Sequence, residues 1–95
     1  MVKEVSAKEA KKLITAKKAI LLDVREKKEI DAGNANPDKC IPLGELAERK
    51  NELSTKRPII VICRSGHRSA TATKFLNENG FEAFNLKGGM LAWGS

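Results

Sequence analysis

Residues 61–72 read VICRSGHRSATA, and positions 63–68 of that stretch hold a cysteine, two arginines, a glycine and the chain's one histidine. Cysteine does nucleophilic chemistry as the thiolate, so the surroundings of Cys63 decide whether it is reactive or inert. An apolar run, IIVIC at 59–63, ends on it, and a helix-like stretch, SATATKFLNENG at 69–80, begins just beyond the loop. A helix N-terminus presents unpaired N–H groups and partial positive charge. Gly66 lets successive loop amides converge on an anion, and Arg64 and Arg68 add full charges. The loop is therefore built to hold an anion, which is either the thiolate or the molecule it attacks. His67 reads equally well as a loop contributor and as an ordinary hydrogen-bonded surface residue. Cys40 lies in its own short segment without paired cations and reads as structural.

The spacing narrows the anion. Cys63 to Arg68 is C-x4-R. Cysteine phosphatases wrap a phosphoryl group with a longer C-x5-R loop, and the residue one further on here is Ser69, which carries no charge. A tighter cradle suits one extra sulfur atom on the cysteine better than a whole phosphoryl group.

The elements that must position this loop are legible as alternating strands and helices. KEV opens with a short strand. Ser6 and Glu9 form a capping-box signature for a helix from Ser6 to about Lys17. AILLDV, 19–24, is a buried strand, and REKKEIDAG a short helix ending at Gly33. CIPL, 40–43, reads as a strand, GELAERKNEL, 44–53, as a helix, and FEAFNL as the last strand before a turn or helix at GGMLAW. Two continuous apolar strands among alternating helices predict an α/β fold, a mainly parallel sheet with helices on both faces. Ligands bind such sheets at the carboxyl ends of the strands, where Cys63 falls.

The chain has 95 residues, which predicts a single domain over 1–95. Its net charge of +6 favours anionic partners, but four aromatics and no tyrosine give no stacking platform for nucleic acid. The lysines of AKEAKKLITAKK read as a solvated helix face. One histidine and two cysteines are too few for a zinc site. No apolar run approaches a membrane span, and the residues after Met1 contain no signal-peptide core. The expectation is a cytoplasmic monomer with no metal, no cofactor, and neither nucleic-acid nor membrane partners.

The combination of CRSGHRS, LLDVRE at 21–26, IPL at 41–43, NGF at 79–81 and LKGGMLAW at 86–93, in that order, resembles a single rhodanese domain of the thiosulfate sulfurtransferase type. Departures lie in GNANPDKCIPL, where Asn34 stands at a position the family often fills with histidine and Cys40 precedes Ile-Pro. The resemblance implies a rhodanese-like three-layer fold and a two-step transfer without cofactor. Cys63 would take a sulfane sulfur from thiosulfate or a related persulfide donor, and a cellular thiol (cyanide in an assay) would accept it. The resemblance further implies that Arg64, Ser65, Gly66, His67, Arg68 and Ser69 hold the donor and the persulfide. Asp23 and Arg25 would brace the loops as an ion pair. Competing readings are a non-catalytic module that binds a protein partner, a carrier relaying persulfide sulfur to another enzyme, and a cysteine phosphatase or arsenate reductase.

Overall fold

The two apolar runs form the middle of the sheet because successive side chains of a strand point to opposite faces, and here both faces are covered. A computed structural model describes residues 2–94. In it β2 (Ile20–Asp23) lies parallel to β4 (Ile59–Ile62), with Ile20 opposite Ile59 and Asp23 opposite Ile62. β5 (Ala83–Leu86) pairs with the other edge of β4, and β1 (Glu4–Val5) adds beyond β5. β3 (Lys39–Cys40) pairs with β2, so the order is β1-β5-β4-β2-β3 with every described pairing parallel.

Register sorts the core into two halves. Leu21, Ile60, Ile62 and Leu86 pack with Ala10, Leu13 and Ile14 of α1 (Ala7–Thr15) and with Met90 and Trp93 of α5 (Gly89–Trp93). Leu22, Ile59, Val61 and Ala83 pack on the opposite face with Leu46 of α3 (Leu46–Arg49) and Ala72 and Leu76 of α4 (His67–Glu78). Each fully buried Leu or Ile of this kind stabilises the fold by roughly 1.5–3 kcal/mol relative to exposure. The remaining helix, α2 (Lys27–Asp31), buries no side chain.

Topology opens the site. From β2 the chain runs through α2 outward to β3, whereas from β4 it runs through α4 the other way to β5. The loops after these adjacent strands diverge, leaving a crevice at their carboxyl ends, the switch point of a parallel α/β sheet.

Several boundaries differ from the sequence expectations. The predicted helix over 44–53 is instead a four-residue helix, α3, between two 3-10 turns, Leu43–Glu45 and Lys50–Glu52. Only Leu46 and Leu53 anchor the stretch, so packing does not enforce one continuous helix. The strand expected over CIPL stops at Cys40, although the N–H groups of Ile41 and Leu43 still bond to Asp23 and Val24. The helix after the cysteine loop starts at His67, not Ser69, and ends at Glu78. Phe81 closes that helix by donating its N–H to Leu76, so β5 begins only at Ala83. α1 ends at Thr15, two residues short of Lys17, which adopts a left-handed conformation.

Candidate active site

β4 delivers Cys63 to the crevice with 1% of its surface exposed. The chain then turns at Gly66, whose φ of 104° is open to glycine and strained for other residues, and enters α4 directly. That turn folds the Gly66 N–H back onto Cys63 Sγ at 3.1 Å. Ser69, in the first turn of the helix and fully buried, brings its Oγ to 3.2 Å from the same sulfur. Burial pushes the Cys63 thiol up, but the Ser69 hydroxyl and the N–H groups of Ser69, Gly66 and Ser65 outweigh it and hold the thiol below its ordinary value. Hydrogen bonds, more than the arginine charges, thus favour the thiolate.

The loop is held from behind by α5. Its first residues donate Met90 N–H to Cys63 O at 2.8 Å and Leu91 N–H to Arg64 O at 3.1 Å. This approach requires Gly89, because a Cβ there would collide with Cys63 O and the Arg64 carbonyl.

The other predicted residues divide by partner. Arg64 is exposed and makes no ion pair among the described residues. Ser65 Oγ and His67 Nδ1 pair with each other at 3.2 Å, both exposed. Arg68 makes a two-pronged pair with Glu29 at 2.9 and 3.0 Å, tying α4 to α2. Asp23 and Arg25 form a buried pair at the end of β2, Arg25 Nη2 lying 2.9 Å from Asp23 Oδ2. The same guanidinium donates to Gly33 O at 2.9 Å, so the pair pins the loop that carries α2. A cavity of about 400 Å³ lined by Arg25, Cys40, Pro42 and Arg49 lies beside this pair, but none of the residues holding the sulfur line it. Cys40 itself is exposed, and desolvation and Asp23 push its thiol up, which disfavours a nucleophilic role.

Two contributors, Glu29 and Asn85, escaped sequence reasoning, and for a third, Gly89 of the LKGGMLAW motif, only its contact with the loop did. Glu29 and Gly89 act through partners distant in the chain. Asn85, 2% exposed on β5, donates from Nδ2 to Gly66 O at 3.1 Å and accepts from Ser69 Oγ. Its signal was a polar residue at an inward-facing position, in step with Ala83 on the face that α4 covers.

A family model described as the rhodanese-like domain matches residues 6–95. The chain belongs to the rhodanese-like domain family. A sulfurtransferase of Allochromatium vinosum is 30% identical over 95 residues, covering 98% of this chain and 89% of that protein. An uncharacterized Bacillus subtilis protein, YqhL, is 43% identical over 79 residues, and the match takes in 82% of this chain and 63% of that protein's length. Among solved structures, a rhodanese-like domain protein from Staphylococcus aureus superposes with a TM-score of 0.90 at 30% identity, covering 99% of this chain and 93% of that one. The five-stranded parallel sheet with helices on both faces is thus a rhodanese-like fold, and the buried Cys63 is consistent with a catalytic cysteine. Among the described residues no cluster of His, Cys, Asp and Glu could hold a metal ion, and no helix is long and apolar enough to cross a membrane.

Proposed function

We propose that this rhodanese-like protein transfers sulfane sulfur from thiosulfate, or a related persulfide donor, to a thiol acceptor through a persulfide on Cys63. The observation that carries this reading is the recessed sulfur held by the Gly66 N–H at 3.1 Å and the Ser69 hydroxyl at 3.2 Å. A thiolate so recessed reaches only an atom at the tip of its partner, and the outer sulfur of thiosulfate is such an atom.

The Cys63 thiolate attacks that sulfur. A new S–S bond forms, the donor S–S bond breaks, and its electron pair leaves with sulfite. The two negative charges of thiosulfate leave on sulfite, and the thiolate's charge moves to the outer sulfur of the persulfide. The loop amides that held the thiolate lie next to this anion. Arg64, exposed and unpaired among the described residues, attracts the sulfonate end of the donor. Arg68 is engaged by Glu29 and contributes positive potential rather than a direct grip. In the second step the acceptor attacks the outer sulfur, and Cys63 leaves as the stabilised thiolate.

Intact-mass measurement tests the reading. Reduced protein mixed with thiosulfate is expected to gain one sulfur atom and to lose it to cyanide as thiocyanate, while Cys63→Ser gains nothing. A folded, reduced protein that takes up no sulfur overturns thiosulfate as donor. A protein that loads sulfur but yields it only to a protein acceptor is a carrier.

A further inference from the structure

Asn85 stands opposite Glu4 of β1 and Val61 of β4, with its side chain buried behind the cysteine loop. Both of its amide hydrogens are committed, one to Gly66 O at 3.1 Å and one to Glu4 Oε2 at 3.2 Å. That leaves Oδ1 turned to Ser69, whose hydroxyl donates to it. A hydroxyl has a single hydrogen. While that hydrogen lies on Asn85, the Ser69 oxygen meets Cys63 Sγ, 3.2 Å away, with lone pairs only. Lone pairs suit an S–H or an uncharged sulfur and oppose an S⁻.

We infer that Asn85 is a positioning residue that competes with Cys63 for the Ser69 hydroxyl hydrogen. The hydrogen rests on Asn85 when Sγ is uncharged and turns to Sγ when the thiolate forms, at the cost of leaving the buried Asn85 Oδ1 unpaired. Asn85 thereby keeps the thiolate from being over-stabilised, and a less stabilised thiolate is the stronger nucleophile. Once Cys63 carries a persulfide, Sγ is uncharged and the hydrogen returns to Asn85, which favours the loaded enzyme. This last consequence rests on the sulfur-transfer reading; the competition in the free enzyme does not.

The charged and titratable groups on the surrounding elements include Arg64, His67 and Arg68 on the loop and α4, Asp23 at the end of β2 and Arg25 just after it, Glu29 on α2, Glu4 on β1 and Lys87 after β5. Asn85→Leu and Ser69→Ala add or remove no charge among them, although Asn85→Leu takes the amide donor from Glu4. In a Cys40→Ser background, where Cys63 is the single thiol, thiolate absorbance is titrated against pH with Asn85→Leu and Asn85→Asp, each with and without Ser69→Ala. With Ser69 present, Asn85→Leu is expected to lower the Cys63 pKa by about one unit. The shift should largely vanish in the Ser69→Ala background. Asn85→Asp, nearly isosteric and a stronger acceptor, should raise the pKa, and by more with Ser69 than without it. Equal shifts in both backgrounds, or none in either, overturn the competition and leave Asn85 acting through Gly66 or not at all. If Asn85→Leu fails to fold, the Asp variant carries the same comparison. Failure of both to fold makes Asn85 a purely structural residue and overturns the inference too. The titration uses no sulfur donor, so its failure is distinct from failure of the protein to take up sulfur.

Discussion

Asp23 and Arg25 illustrate how one pair of side chains serves the site without touching the sulfur. Asp23 is fully buried and Arg25 is 6% exposed, and the guanidinium also reaches Gly33 O at 2.9 Å. A buried pair offers little net stability over an apolar pair, but removing one partner strands the other charge. Asp23→Ala is therefore expected to cost about 3–5 kcal/mol, read by urea unfolding. Asp23→Leu combined with Arg25→Met should be less damaging than Asp23→Ala. If the double variant is as unstable as the single one, the pair acts through loop packing and not through charge. The spacing of Asp23 and Arg25 was readable in the sequence, but their burial was not, since LLDVRE reads equally well as a strand followed by an exposed charged turn.

At the scale of elements, the decisive contact is α5 against the cysteine loop. Gly89 has a φ of 58°, and a Cβ there would lie 2.6 Å from the Arg64 carbonyl carbon. Gly89→Ala must push the loop forward and misplace the Gly66 N–H and Ser69 hydroxyl. Persulfide formation in a single turnover should fall by about tenfold or more, because misplacing a reacting group by a fraction of an ångström is costly. Gly44→Ala is the control, as nothing lies within 4 Å of a Cβ there. Equal rates in the two variants would remove α5 from the account of the site. The turns around α3 make a second prediction. Arg49, and after it Lys39, bond the Glu52 carboxylate and hold its pKa down to about 2 from an ordinary 4.5. The pKa is lower folded than unfolded, so this contribution is complete above about pH 4.5 and is lost as pH falls toward 2. Glu52→Gln should flatten the acid side of the stability profile within that window. An unchanged slope in urea melts would show that exposure and screening cancel the pair.

For the whole molecule, the net charge of +6 acts over distances longer than any single contact. Arg64 is exposed beside Cys63, so on the proposed function the field and the site attract the same kind of anionic donor. The rate of persulfide formation from thiosulfate should therefore fall severalfold as salt rises to about 0.15 M, where screening acts beyond roughly 8 Å. Reaction of Cys63 with a neutral alkylating reagent should change little over the same range. If both rates respond alike, salt acts on the loop itself and not on donor approach.

The local chemistry was legible because it is written in consecutive residues. Cys63, Gly66 and the two arginines lie within one loop, and the apolar runs at 19–24 and 59–63 mark buried parallel strands by composition alone. The broken helix over 43–52 was not legible, since helical propensity there is ordinary and only sparse anchoring by Leu46 and Leu53 breaks it. Nor were the partners of the loop. Arg68 looks like a free cation until the fold brings Glu29, 39 positions away, to within 2.9 Å. Asn85 looks like a strand polar residue until β5 settles beside β4 and its amide meets Gly66 and Ser69. The sequence by itself determined a cysteine loop between a buried strand and a helix in an α/β protein, because strand period, glycine freedom and helix-end polarity are local properties. The tertiary structure alone decided which hydrogens reach the sulfur and which arginine is left without an ion pair among the described residues, because those depend on strand order and on contacts between segments far apart in the chain.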